Sequence, residues 1–576
     1  MYKRNYWILS PNVSNDPSIE KAWKNAIMLT GYAFMGWGDD NQLGITFKEQ
    51  IKKGDFILIA QGANRNKRLF IGGIVETDAI WEEKSNTPRE AFNRKLELLF
   101  SKKELESLNL HFDENSAYGN ADRIPAIYKL YPERNSSDKK NVEILEKEIL
   151  KRYLSKIMKE IIDLLKCKKQ IILQGAPGTG KTYTAKDIAE QLIFDDVSSD
   201  KKIQAERLKT SEQFKLVQFH PSYTYEDFVR GIEVRTEGGQ PEYITKNKII
   251  GKFAELASKN WQDSQKSAEE VSKEEWLTEQ FDKFVDFVNE EAVLTLDNDY
   301  QLTDSVNIIA IEGDAFRYTG KNWKHGSNRM LFKDIKQAYL DDNKTRQDIK
   351  KNNNLSGLAQ QHASYYIRVL DNFREYLKSE EITYSPSHKS IVELENYVLI
   401  IDEINRANLP AVLGELIYAL EYRGEKVESL YTVDGDNGLV LPPNLYIIGT
   451  MNTADRSVGQ IDYAIRRRFA FVDMLPQKIT PEKGIFENEL FKKVSELFIE
   501  KYEDYETTGK IKPSKYLSDE FRPEDVWIGH SYFITDGNKD TRVKYEIVPI
   551  LKEYLKDGIF KERSGVEEII NELICS

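Results

Sequence analysis

The stretch GAPGTGKT, Gly175 to Thr182, carries the GxxxxGK[ST] spacing in full, between the apolar run QIILQ and the helix-like TAKDIAEQLI. A strand before and a helix after are the context this chemistry requires. Gly175, Gly178 and Gly180 let backbone amides turn inward and approach a phosphate chain closely. Ala176, Pro177 and Thr179 complete the loop, Lys181 offers a point charge to the β- and γ-phosphates, and the Thr182 hydroxyl can ligate Mg2+. The amide end of the following helix adds partial positive charge. The expected ligand is a nucleoside triphosphate with Mg2+.

YVLIIDEIN places Asp402 and Glu403 at the end of a fully apolar strand. A buried strand does not tolerate acids in its middle, so acids at its exit are expected to face a ligand. Asp402 is the expected Mg2+ anchor and Glu403 the expected base orienting an attacking water. In YIIGTMNTADRS, Asn452 follows the next apolar strand, where an amide can orient water or the γ-phosphate; asparagine is also a common turn residue there. QIDYAIRRRFAF holds Arg466, Arg467 and Arg468 in a row. Three arginines are costly to bury, so at least one is expected to point at an anion or a neighbouring subunit, with solvated arginines on a helix end as the alternative. FHPSYTYEDFVRG, Phe219 to Gly231, reads as a packed strand-to-helix junction.

The elements that must position these residues alternate between strand and helix. QIILQ, KLVQF (Lys215 to Phe219), YVLII (Tyr397 to Ile401) and YIIG (Tyr446 to Gly449) are strand-like, which predicts an α/β core with a parallel sheet. The span from about Trp261 to Leu394 exceeds any crossover helix and reads as a small α+β insertion. A chain of 576 residues is too long for one core. The expected division is a β-rich module at 1–131, a linker and amphipathic helix at 132–168, a large α/β domain at 169–475 with the insertion at about 261–394, and a helical region at 476–576. Net charge is −12, so any nucleic-acid contact must come from a local basic groove. Two distant cysteines, Cys167 and Cys575, exclude a disulfide framework and a cysteine zinc site. With no signal-like N-terminus and no long apolar run, no membrane span is expected and the cytoplasm is the expected compartment.

In order along the chain, VQFHPSYTYEDFVRGIE, IIDEINRANL, MNTADRS and DYAIRRRF closely resemble motifs of the McrB family, the AAA+ motor subunits of modification-dependent (type IV, McrBC-like) restriction systems. The resemblance covers roughly 170–260 and 395–560. IGHSYF at Ile528 to Phe533, with EIVPILKEYL after it, is similar to the family's C-terminal helical lid. The resemblance implies a homo-oligomeric, hexameric ring that prefers GTP over ATP, and a nuclease partner of the McrC type that stimulates hydrolysis and cuts DNA. It also implies that Asn452 to Asp455 form a sensor segment and that one or more of Arg466, Arg467 and Arg468 act across a subunit boundary as arginine fingers. Arg406 is a further candidate for that boundary. The guanine-reading NKxD motif is absent, so the GTP preference rests on the resemblance, with ATP as the alternative. No D…ExK nuclease signature is convincingly placed, so cleavage is expected from a separate polypeptide.

At the N-terminus Trp7, Trp23, Trp37 and Trp81 stand near Tyr32, Phe34 and Phe70. YWILS, the GW at Gly36 and GDFILIAQG at Gly54 to Gly62 are similar to PUA-like folds, particularly EVE domains. That resemblance implies a pocket holding a flipped, modified base between aromatic rings, with Trp7, Phe34, Trp37 and Phe70 as candidates. Stacking is worth about 1–3 kcal/mol per base, against a few kcal/mol to extrude one. Lys52, Lys53, Arg65, Lys67 and Arg68 could contact phosphates. The alternative is that the tryptophans fill a small β-barrel core, and for any single tryptophan that reading is preferred. In the insertion, Lys321, Lys324, His325, Arg329 and Lys333 form a basic patch that could touch DNA, a solvated face being favoured.

Three functional readings follow: a restriction motor acting on modified DNA, an ATP-dependent AAA+ protein remodeller with an N-terminal adaptor-binding domain, and a nucleic-acid binder whose P-loop is only an assembly switch. Glu403 argues against the last, since a switch needs no water-orienting base.

Overall fold

The computed structural model describes residues 4–9, 26–28, 30, 32–35, 42–61, 68–82, 91–110, 127–134, 136–237, 240–293, 299–321, 323, 326–385, 392–433, 436–455, 461–479, 481, 483–561 and 563–575. Two units divide the chain: Met1–Asp163 with Gly175–Gly180 and Met474–Ser576, and Leu164–Gln174 with Lys181–Asp473.

In the first unit the N-terminal residues form a seven-stranded sheet. Tyr6–Leu9 pairs in parallel with Phe56–Gln61 and antiparallel with Ile127–Lys129. Phe56–Gln61 continues antiparallel through Arg68–Val75 to Ala91–Ser101, which also carries Tyr32–Met35 and Ile80–Glu82. Alternate residues of a strand point to opposite faces, and both faces here are apolar. Trp7, Leu9, Ile57 and Ile59 pack with Phe47 and Ile51 on one side. Tyr6, Ile8, Phe56 and Leu58 pack with Val142, Leu145 and Ile149 on the other. Those last three residues recur at helical spacing along the helix Ser136–Lys168.

In the polar stretch 132–141, expected as a linker, residues 132–134 form a turn and 136–141 are the first turns of that helix. Asp138 accepts the backbone N–H of Tyr131 at 2.9 Å, and both Asp138 and Asn141 are buried. Polar residues here end a turn and start a helix, which composition alone does not separate from a flexible connection.

The C-terminal part of this unit is mainly helical, with Asn488–Ser495, Tyr502–Thr508, Val548–Lys556 and Arg563–Cys575 among its elements. It packs on aromatic contacts that link Phe491 to Trp527 and Phe533, and Phe498 to Phe560.

The second unit is built on a five-stranded sheet of β1 (Gln170–Gly175), β2 (Phe214–Gln218), β3 (Tyr397–Asp402), β4 (Leu445–Asn452) and β5 (Ala470–Asp473), in the order β5-β1-β4-β3-β2. The pairs β3–β4, β3–β2 and β5–β1 are parallel. Strands covered on both faces read as continuous apolar runs, and β3 is buried from Tyr397 to Ile401. In such sheets ligands meet the carboxyl ends of the strands, where Asp402 and Asn452 lie. Helices α1 (Lys181–Phe194) and α2 (Ile249–Gln265) flank the sheet, and α2 contributes Ile250, Phe253 and Ala257 to its core.

Between β2 and β3 the chain makes a long excursion. It first forms the hairpin Arg230–Glu237 with Gln240–Asn247, then α2. Because α2 runs through Trp261 to Gln265, the insertion begins later than the sequence suggested. It comprises the helix Ala268–Val293, a four-stranded antiparallel meander from Tyr300 to Leu331, and helices including Phe332–Leu340 and Ala363–Ser379. Phe281, Phe284, Phe316, Tyr366 and Phe373 give it a core of its own. Among the described residues no helix is long and apolar enough to cross a membrane.

Candidate functional site

The loop after β1 is bent by glycines in left-handed backbone, Gly178 at φ +80° and Gly180 at φ +81°. Thr179 is buried and its hydroxyl donates to the Ala176 carbonyl at 3.1 Å, closing the loop on itself. The backbone N–H groups of Gly529 and Ser531 donate to the carbonyls of Pro177 and Gly178 at 2.9 and 3.1 Å. This contact holds the segment Ile528–Tyr532 on the loop.

α1 opens with Lys181 and Thr182. Burial pushes the Lys181 ammonium down to about 8, with Glu403 and Asp402 pulling the other way. The Thr182 hydroxyl donates to Asp402 Oδ1 at 2.7 Å. Thr450 Oγ1 donates to the same oxygen at 2.6 Å and accepts the backbone N–H of Glu403 at 3.1 Å. Hydroxyls donating to a carboxylate are among the stronger hydrogen bonds. Thr450 therefore fixes both acids from the neighbouring strand. It is the functional residue the motif reading missed, and the available signal was a single threonine in the largely apolar run LYIIGTMN.

Glu403 takes the left-handed conformation, φ 53° and ψ 46°, which turns its side chain away from the strand direction. Arg406 Nε lies 3.3 Å from its carboxylate, and Arg406 Nη2 lies 3.8 Å from Asp455. Asn405 donates to the Asn452 carbonyl at 3.1 Å, while the Asn452 side-chain oxygen accepts from the Ala454 N–H at 3.4 Å. The expected residues Lys181, Thr182, Asp402 and Glu403 thus come together, with Asn452 and Asp455 joined through Asn405 and Arg406.

The arginine row does not join them. Arg466 lies over the Phe471 ring at 5.1 Å and donates to the Ile461 carbonyl. Arg468 is largely buried, bonded to the Ala464 carbonyl and paired with Glu421 at 3.1 Å. Arg467 also pairs with Glu421, at 3.0 Å, but its side chain is 70% exposed. Arg466 and Arg467 are both exposed, Arg468 less so.

Thr182 and Asp402 offer hard oxygen donors of the kind Mg2+ takes, and that ion is usually completed by water and phosphate oxygens. Among the described residues no three His, Cys, Asp or Glu side chains cluster to hold a metal.

The N-terminal candidates fare differently. Trp7 is 2% exposed, its indole N–H donates to the buried Asp55 at 2.9 Å, and it packs in the sheet core. It is a core tryptophan with no open face for a base, a correction to its place among the pocket candidates. Trp37 lies outside the described residues. Phe34 and Phe70 belong to the strands Tyr32–Met35 and Arg68–Val75, and their side chains lie outside the described residues. In the basic patch, Lys324 and His325 lie outside them too, while Arg329 is neutralised by Glu312 and Asp314 at 2.6 Å each.

Residues 338–469 match the AAA domain of the dynein-related subfamily, a span that includes Asp402, Glu403, Asn452 and the arginine row. The chain is 36% identical over 238 residues to the type IV methyl-directed restriction enzyme EcoKMcrB subunit of Escherichia coli strain K12, which is 37% of this chain and 50% of that protein. It is 38% identical over 90 residues to the type II restriction enzyme BsuMI component YdiS of Bacillus subtilis strain 168, covering 13% of this chain and 26% of that protein. The chain thus spans half the length of the first relative and about a quarter of the second. Residues 338–469 thus carry an AAA domain on an α/β P-loop core, and over its AAA region the chain is similar to that McrB subunit.

Proposed function

We propose that this chain is the nucleotide-hydrolysing AAA+ motor and DNA-recognition subunit of a McrBC-like restriction system, with GTP favoured over ATP, that targets modified DNA and drives a separate nuclease subunit of the McrC type. The observation that carries the hydrolytic part is the tie of Thr182 and Thr450 to one oxygen of Asp402, with Thr450 also holding the peptide of Glu403. The similarity to a methyl-directed restriction subunit supports the DNA target and the partner.

In this reading the loop amides and Lys181 hold the phosphate chain, and Thr182 and Asp402 hold Mg2+. When bound, Mg2+ neutralises phosphate charge. Glu403 exchanges its contact with Arg406 for a water and takes a proton from it as the water attacks. Asn452, beside it, orients that water or the γ-phosphate, with Asp455 in the same sensor segment. Arg467, and in lesser part Arg466 or Arg468, completes the site of a neighbouring subunit in a hexameric ring. The helical residues 476–576 act as the lid. The N-terminal sheet acts as a PUA- or EVE-like reader of modified bases.

Hydrolysis of GTP and ATP by the full chain, with and without the nuclease, tests this. Lys181→Ala should abolish nucleotide binding. Glu403→Gln should bind nucleotide yet turn it over about 10²–10⁴-fold more slowly, the usual range for losing a general base. Wild-type turnover in Glu403→Gln would remove Glu403 from the mechanism. A separate DNA-binding assay with methylated and unmethylated duplexes tests the reader, and equal binding to both would reject it.

A further inference from the structure

His530 sits in the segment that lies on the phosphate-binding loop, and the motif chemistry gives it no task. It is 9% exposed. The backbone N–H of Gln477 points at its Nδ1 at 3.4 Å. An amide N–H can only donate, so Nδ1 must be the accepting nitrogen. The proton of the neutral ring then resides on Nε2. Burial keeps the ring neutral, pushing its titration down to about 4.

Nε2 faces the loop. A β-carbon at Gly180 would lie 3.4 Å from Nε2 and 3.8 Å from Cε1, so the donor edge of the ring stands directly against the loop at Gly180. Its position is set on both sides by backbone. Gly529 donates to Pro177 and Ser531 donates to Gly178. Gly529 approaches so closely that a β-carbon there would lie 1.9 Å from the Gly178 carbonyl carbon. The segment cannot drift without breaking two hydrogen bonds. Among the described residues Nε2–H has no acceptor of its own, although the ring that carries it is oriented and neutral.

We propose that His530 is a further nucleotide-binding residue, its Nε2–H donating to an anionic oxygen of the phosphate chain held on the Gly175–Gly180 loop. A neutral donor suits this place because it adds a directed hydrogen bond without a second buried cation near Lys181. It also makes the Ile528–Tyr532 segment sense whether the loop is filled. This rests on the reading of the loop as a triphosphate site.

The test is calorimetric titration of the full chain with the magnesium salts of GTP, GDP and GMP, and of their adenine counterparts. Two substitutions separate the roles of the two ring nitrogens. His530→Asn keeps an acceptor where Nδ1 meets Gln477 but loses the distal donor. His530→Gln keeps a donor near the Nε2 position but loses the proximal acceptor. Donation to phosphate predicts that His530→Asn weakens di- and triphosphate binding by about tenfold or more, a usual size for a hydrogen bond to a charged group, while His530→Gln recovers most of it. The opposite order, with Asn rescuing and Gln failing, would show that the ring only supports the fold and would overturn the proposal. So would two variants that bind like wild type. Lys181→Ala separates this from the broader reading: if the wild type binds no nucleotide, the loop assignment fails. If Lys181→Ala abolishes binding while His530→Asn leaves it intact, only the role of His530 fails.

Discussion

Glu403 is the one residue at the site whose backbone works against its side chain type. A non-glycine residue in the left-handed region costs roughly 1 kcal/mol, and this one is held there by Thr450 and by the exit geometry of β3. Replacing Glu403 with glycine removes that cost together with an exposed ion pair to Arg406, which contributes little. Glu403→Gly is therefore expected to match or exceed wild-type stability in urea unfolding by up to about 1 kcal/mol while losing turnover. A marked loss of stability would show that the acid serves the fold. Thr450 poses the reverse case. Thr450→Val leaves a buried peptide N–H without its acceptor and one oxygen of Asp402 short of a donor, which should cost about 1–3 kcal/mol. Thr450→Ser keeps the hydroxyl and should retain most of both stability and turnover. The two acids were legible because acids cannot sit inside an apolar strand, so they mark its end. Thr450 was not, because its partners Asp402 and Glu403 are nearly fifty residues away in sequence and meet it only once β3 and β4 pair.

At the level of elements, the parallel core was legible wherever apolar runs were long enough to imply burial on both faces, as in β1, β3 and β4. The neighbour order β5-β1-β4-β3-β2 was not, since every strand carries the same apolar pattern and pairing depends on the crossovers. Short polar stretches misled for a related reason: 132–141 has linker composition, yet Asp138 and Asn141 are buried and Asp138 accepts the Tyr131 N–H. The contact between Ile528–Tyr532 and the loop is also invisible in sequence, being made by backbone atoms. It has a pH signature. His530 titrates near 4 in the folded chain, depressed by burial, and near 6.5 when unfolded. Between those values the unfolded chain binds a proton that the folded chain does not, so stability contributed by His530 falls as pH drops from about 6.5 towards 4, and falls no further below that. The difference in urea midpoint between wild type and His530→Asn should accordingly grow with pH across that window. A constant difference would mean that the ring is charged, or exposed, in the folded chain.

Two features matter at the scale of the whole molecule. Arg467 is exposed and, among the described residues, tied to Glu421, so its loss should leave the stability of the isolated chain within about 0.5 kcal/mol. If it completes a neighbour's site, Arg467→Ala should lower turnover of the assembled protein by about 10³–10⁵-fold. Mixing it with Lys181→Ala should then restore part of that turnover, because some interfaces would pair an intact loop with an intact arginine. No recovery in mixtures would confine Arg467 to its own subunit. The insertion is the second feature. Asn260, near the end of α2, donates to the Glu393 carbonyl at 3.1 Å and accepts the Glu395 N–H at 2.9 Å. Asn444 donates to the carbonyls of Ala257 and Glu395 at 3.1 and 3.0 Å. The chain therefore returns beside the helix it left, and the Phe281, Phe316 and Phe373 core lies wholly within the excursion. A body whose ends are clipped together can be exchanged for a short flexible loop at small entropic cost. Replacing residues 267–391 with a brief Gly/Ser linker is expected to preserve cooperative unfolding and to leave nucleotide affinity close to that of wild type. If the trimmed chain binds nucleotide but no longer activates the proposed nuclease subunit, the insertion belongs to coupling. If it fails to fold, the insertion buttresses β3 after all, and the clip at Asn260 is a consequence of that support.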